Sequence, residues 1–186
     1  PKAVPRLALL KPTRRKRRPS TMKLPLSALA LLASAHAAAT NHVNLHLIPH
    51  THADVGWMQT VNSLARMNVS RILDSVTAAI VANPQRRFVW DEMVFLQLWW
   101  ETQSTPSQRN HFTEHVVARR IEFVDNGWSQ HDMGCTTLDS MMNNWVEGHE
   151  WIRTHFGAEY EPRVGWSLDP FGPSSTQATL QALMGM

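Results

Sequence analysis

Apolar positions along this chain recur at two periods, and the alternation between them predicts strands and helices in turn. Val43 to Ile48 is a short apolar-rich run, the pattern of a buried strand. From Ser70 to Ala82, residues Ile72, Leu73, Val76 and Ile80 share one helical face, and Asn83-Pro84 stops the helix. Arg87 to Trp90 reads as a second strand, and Pro106 to Ala118 as a helix opened by proline. Ile121 and Phe123 alternate with charged residues in a third strand, closed by Asp125-Asn126-Gly127. Leu138, Met142, Trp145, His149, Ile152 and Phe156 step by four and three and predict one stripe of a longer helix. Thr136 is the expected cap of that helix, with Asp139 three residues on, and Gly157 its end. Val164 to Leu168 reads as a fourth strand, followed by a helix from Ser175 to Met184.

Four strand–helix pairs predict an α/β domain with a largely parallel sheet. Such sheets bind ligands at the carboxyl ends of their strands. The polar residues of interest collect there: His50, His52 and Asp54 after the first strand, Asp91 and Glu92 after the second, Trp128 and Asp132 after the third, and Asp169 after the fourth.

Composition adds a core and removes a partner class. Hydrophobic residues make up 43% of the 186, enough for one domain of ordinary size. Most of the eight tryptophans are expected in that core, although tryptophan is also a stacking surface for sugar rings. The net charge of +3 misleads, because residues 1–23 hold nine Lys or Arg and no acid. The remainder carries nine basic against 15 acidic residues, an acidic body with no footprint for nucleic acid. From Met22, MKLPLSALALLASAHAAAT has one positive charge, a short apolar stretch and the small-x-small triplet Ala35-His36-Ala37, the pattern of a secretory signal peptide. It is too short for stable membrane insertion. The chain therefore divides into 1–21, an upstream or basic extension; 22–37, the signal; and 38–186, the folded part. Secretion makes Asn68-Val69-Ser70 a candidate glycosylation triplet. Cys135, the single cysteine, excludes an internal disulfide and a cysteine-built metal site in this segment.

Two stretches carry candidate chemistry. In His50-Thr51-His52-Ala53-Asp54-Val55-Gly56-Trp57, alternate residues of an extended chain point to one side. His50, His52 and Asp54 could thus face one point with donor atoms suited to zinc, and Trp57 offers a flat face for a sugar. The same three residues also suit an ordinary polar loop. In Trp166-Ser167-Leu168-Asp169-Pro170-Phe171-Gly172, a carboxylate sits just past an expected strand on a chain stiffened by proline. That suits a rigidly mounted catalytic group, and equally a turn or helix-cap aspartate.

Together with RILDSV, RRFVWDEMVFLQLWW, IEFVDNGW and WVEGHEWIRTHFG, these stretches resemble the class II α-mannosidases, glycoside hydrolase family 38, and among them the lysosomal type, from Val43 to Met186. The resemblance implies the N-terminal part of a parallel, barrel-like (β/α) catalytic domain that is incomplete in this chain. It implies His52, Asp54 and Asp169 as ligands of Zn2+, Asp169 also as nucleophile, Trp57 as an aromatic wall of the mannose pocket, and His50 in support. Glu92, Trp128 and Asp132 match positions near the pocket without a catalytic role. The reaction implied is retaining hydrolysis of terminal α-D-mannose from oligosaccharides and glycoprotein glycans, in the lysosome or outside the cell. The acid/base aspartate and a fourth ligand, a histidine, are expected after Met186, so the segment alone should be inactive. Three features depart from the family pattern: Ala53 where aspartate is usual, Pro173 where histidine is usual, and a short stretch between Trp57 and Ile72. These keep a decayed sugar-binding homologue in view, and a metal-dependent carbohydrate deacetylase beside it.

Overall fold

The structure, a computed structural model, describes residues 43–169 and 174–186. The expected extension 1–21, the signal 22–37 and Pro173 lie outside the described residues.

Thr60 opens the first helix, α1 (Val61–Leu64), its hydroxyl accepting the Ser63 N–H at 3.3 Å. A wide π turn, Ala65–Val69, carries the chain into α2 (Ser70–Ala82). The Ser70 hydroxyl donates to the Ala65 carbonyl across that turn at 2.7 Å. Next come β1 (Phe88–Trp90), α3 (Met93–Thr102), α4 (Pro106–Val117) and β2 (Ile121–Phe123). The long helix α5 (Leu138–His155), a 3-10 turn at Ala158–Tyr160 and α6 (Ser175–Leu183) follow among the described residues.

β1 and β2 are parallel, with Phe88 opposite Ile121 and Trp90 opposite Phe123. The expected first and fourth strands form no ladders; single contacts from Pro49 and His50, just past the first, and from Val164 of the fourth reach the chain at this pair. Val89 N–H donates to the Pro49 carbonyl at 3.0 Å, and His50 makes a single parallel bridge to Val89. On the other side, Asp125 N–H donates to the Val164 carbonyl at 2.8 Å. Adjacent residues of a strand point their N–H groups to opposite edges, so one edge of β1 takes the 49–50 segment and the other takes β2. Leu47 and Ile48 are exposed at 80% and 50%, and Val164 at 51%. A run that buries neither face gains little from apolar composition, which is why these two predicted strands stay irregular. The fold is thus a mixed helix–strand domain with a small parallel sheet.

The helices bury one core. Leu73 and Ile80 of α2, Phe95, Leu96 and Trp99 of α3, and Phe112 and Val116 of α4 pack with Trp90, Ile121 and Phe123 of the sheet. Asp74 of α2 joins the three helices, accepting from Trp99 Nε1 at 2.9 Å and Gln108 Nε2 at 2.7 Å. Trp100 stands edge-on to Trp151 and Phe156, bringing the end of α5 onto the same cluster. Of the eight tryptophans, four are buried, three are half-buried and Trp57 alone is exposed, so the core reading holds for most.

Two expectations for α5 shift in register. Thr137, not Thr136, is the cap, its hydroxyl accepting the Ser140 N–H at 3.3 Å. The buried stripe is Met141, Trp145, Gly148 and Ile152, with Trp151 beside it, whereas Leu138 is 55% exposed. The stripe turns because Gly148 lies against the Asn126 carbonyl, with no room for a Cβ. Gly157 follows the helix at φ +107°, as a terminating glycine should.

Candidate functional site

The loop after Pro49 divides its side chains by alternation. Thr51 and Ala53 point inward and are buried, while His52 and Asp54 turn to a cleft of about 120 Å³. Asp125, Gln130, His131, Asp132, Trp166, Ser167, Asp169 and Gln177 complete its lining. His52 Nε2 lies 3.4 Å from Asp54 Oδ1 and 4.0 Å from Asp169 Oδ2. Three side chains from two stretches more than a hundred residues apart therefore meet at one imidazole nitrogen. Among the described residues, no three His, Cys, Asp or Glu side chains are placed so that they could hold a metal ion as they stand.

The floor is built on the turn after β2. Asp125 and Asn126 both adopt positive φ, +51° and +53°, a conformation that Asp and Asn tolerate better than most residues. The Asp125 carboxylate accepts from Trp145 Nε1 at 3.0 Å and Gln181 Nε2 at 2.6 Å. Burial pushes its pKa up, and these two donors pull it part of the way back. Asp91, under the same turn, is pushed well above the usual carboxylate range by burial and by the charges of Asp125 and Glu92. One oxygen of Asp91 accepts the Asn126 N–H at 3.1 Å, and the other finds no partner among the described residues.

The chain matches the Glycosyl hydrolases family 38 N-terminal domain over residues 42–186. It belongs to that family. Alpha-mannosidase F of Dictyostelium discoideum is 42% identical over 145 residues, covering 77% of this chain and 14% of the relative. Lysosomal alpha-mannosidase of Bos taurus is 39% identical over 151 residues, covering 77% and 15%. The Homo sapiens protein of the same name is 38% identical over 175 residues, covering 84% and 17%. The chain thus spans about one sixth of the length of these family members.

Against that family, the residues singled out from the sequence divide. His52, Asp54, Asp169 and Asp132 line the cleft. Trp57 is 70% exposed and does not line it; the indole that does is Trp166, edge-on to His50 at 5.6 Å. His50 turns its Nδ1 to the Thr51 carbonyl at 2.9 Å. Trp128 packs on the core, and Glu92 lies buried beneath the loop. Asp132 is committed to its own turn, accepting the Gly134 and Cys135 N–H groups. Gln130, His131 and Gln177 were not anticipated. His131 bridges Gln177 Oε1 at 2.8 Å and Asn144 Nδ2 at 3.2 Å. No motif marks such a residue, because its partners come from two other helices.

Proposed function

We propose that the full-length protein is a retaining, zinc-dependent α-mannosidase that releases terminal α-D-mannose from oligosaccharides and glycoproteins. The observation that carries this reading is the approach of His52 to both Asp54 and Asp169 in one cleft. The names of the relatives supply the sugar.

The donor set fits zinc in chemistry, an imidazole and two carboxylates, and in the spacing of its first pair. Tetrahedral zinc with bonds of about 2.0–2.2 Å has ligand atoms roughly 3.3–3.6 Å apart. The His52–Asp54 separation of 3.4 Å matches, and the His52–Asp169 separation of 4.0 Å is longer, so Asp169 would have to move closer to share the ion. Asp169 has room to do so, with 45% of its side chain exposed. His52, Asp54 and Asp169 would hold the ion, and a further ligand would come from elsewhere in the full-length protein. When bound, zinc supplies Lewis-acid stabilisation of charge and a hold on the sugar hydroxyls.

Asp169 is the nucleophile. Its carboxylate oxygen bonds to the anomeric carbon as the glycosidic C–O bond breaks, and the leaving oxygen takes a proton from a second carboxyl group about 5 Å away. That group then removes a proton from water, which attacks the anomeric carbon and frees Asp169. Trp57, exposed in the same loop as Asp54 and outside the cleft lining of this segment, is assigned as an aromatic wall to sugar that extends beyond that cleft. The parallel β1–β2 pair supports a larger barrel-like sheet in the full-length protein. Entry to the secretory route, with lysosome or cell exterior as destination, follows the pattern at 22–37 and the lysosomal relatives. No helix among the described residues is long and apolar enough to cross a membrane.

The test is release of aryl alcohol from an aryl α-mannoside by the full-length protein, with zinc content measured on the same sample. About one zinc per chain is expected, and Asp169→Asn should abolish turnover. Full activity in Asp169→Asn would sink the assignment.

A further inference from the structure

Glu92 holds the N-cap position of α3 but does not cap that helix. The first amides of α3 are satisfied elsewhere: Met93 N–H donates to the Gly127 carbonyl at 3.3 Å and Val94 N–H to the Trp128 carbonyl at 3.0 Å. The carboxylate is left free, yet Glu92 is 0% exposed. A buried carboxylate is costly unless donors surround it, and here they all come from the loops that line the cleft. Glu92 Oε2 accepts from Thr51 Oγ1 at 2.8 Å. Oε1 accepts from Ala53 N–H at 2.8 Å and from Gln130 Nε2 at 2.8 Å.

The placing of these donors has a consequence for the cleft. Thr51 and Ala53 bracket His52, and Ala53 adjoins Asp54. Pinning positions 51 and 53 to a buried group fixes the strand-like alternation, which leaves His52 and Asp54 on the opposite side, toward Asp169. The third donor, Gln130, anchors the loop that carries His131 and Asp132 into the same cleft. One carboxylate thus ties two cleft-lining loops to the start of α3 without entering the cleft itself.

We propose that Glu92 is a positioning residue for metal binding: it holds the His52–Asp54 loop from beneath so that both side chains are presented to the ion. The inference rests on the zinc reading above. Partners one step removed from the ligands commonly contribute 10- to 100-fold to metal affinity.

Zinc alone is the probe, titrated into metal-stripped full-length protein against a chelating dye. Glu92→Gln removes the charge that holds three donors, and should weaken zinc binding about 10- to 100-fold. Excess zinc should restore much of the lost turnover, a rescue that simple loss of fold would not allow. Thr51→Val removes one donor while keeping the shape, and should weaken binding by a smaller factor in a fully folded protein. It keeps the inference testable if Glu92→Gln fails to fold. Zinc affinity equal to wild type in folded Glu92→Gln, or in Thr51→Val where the other does not fold, overturns the positioning role while leaving the zinc reading intact. Wild-type protein that binds no zinc overturns both.

Discussion

Gln181 Nε2 donates to Asp125 Oδ1 at 2.6 Å, and this bond anchors the chain beyond Asp169. Asp125 also anchors the chain before it, through its N–H to the Val164 carbonyl at 2.8 Å. The segment that carries Asp169 is therefore tied to one residue at both ends. Removing one tie, by Gln181→Ala, should let Asp169 wander from His52. With Asp169 as the nucleophile proposed above, a small misplacement would cost up to about 100-fold in rate. A fall in kcat of about 10- to 100-fold is expected in the full-length protein, with KM changed less, measured by steady-state hydrolysis of an aryl α-mannoside. Unchanged kcat would show that this tie does not position Asp169.

Asp91 and Asp125 give the fold a preference for acid. Both are acids whose pKa is raised in the folded state, chiefly by burial. The neutral form is the one the interior tolerates. Each therefore contributes stability that is full below its ordinary value of 3.8 and is lost as pH rises through the raised value. His115, lowered by burial, works in the opposite sense: its contribution is full above its ordinary 6.5 and fades as pH falls through the lowered value. Asp91→Asn isolates the first effect. The variant should be more stable than wild type at pH 8, by about 1–3 kcal/mol for a relieved buried polar group, and the gap should close as pH falls toward 4. Thermal melts across that range decide it, and a constant gap would refute the linkage.

Gly148 should resist the substitution that helices usually welcome. Glycine to alanine in a helix interior normally gains about 1 kcal/mol. A Cβ here would run into the Asn126 carbonyl and press on the Gly127 backbone, neither of which can swing aside as a side chain would. Gly148→Ala should instead cost about 1–3 kcal/mol by overpacking, and should disturb the Asp125 turn that floors the cleft. Chemical denaturation supplies the measurement; a gain in stability would mean that α5 shifts freely.

Thr105 caps α4 in a reciprocal box with Gln108, its hydroxyl accepting the Gln108 N–H at 3.2 Å while its own N–H donates to Gln108 Oε1 at 2.8 Å. Neither Thr105 nor any residue of α4 lines the cleft. Thr105→Ala should lose about 1 kcal/mol of stability and leave zinc content and KM as they were. A change in either would mean that α4 reaches the site by a route not evident in the packing.

Local pattern by itself determined much of the helical skeleton. α2 and α4 were legible because each combines a periodic apolar face or a proline start with a stop or cap close in sequence. The parallel pair β1–β2 was legible from short β-prone runs between helices. α3 was not, since Met93, Val94, Phe95, Leu96 and Trp99 are buried nearly all round it, and a helix without a polar face shows no 3.6-residue period. The outer two expected strands do not form for the converse reason: apolar composition signals a strand only where neighbours cover it.

The two site motifs were readable too, as residue types, and the family with them. What only tertiary structure decided was their company. Glu92 was marked in sequence only as a residue near the pocket; its pairing with Thr51 and Gln130 carries no signal there, because a buried hydrogen-bond hub is defined by partners 38 to 41 residues apart. Likewise Trp166, rather than Trp57, lines the cleft, since exposure and direction depend on how the whole chain packs. Sequence specifies which groups can donate, accept or bind; the fold decides which of them face each other, because side-chain chemistry is local and proximity is not.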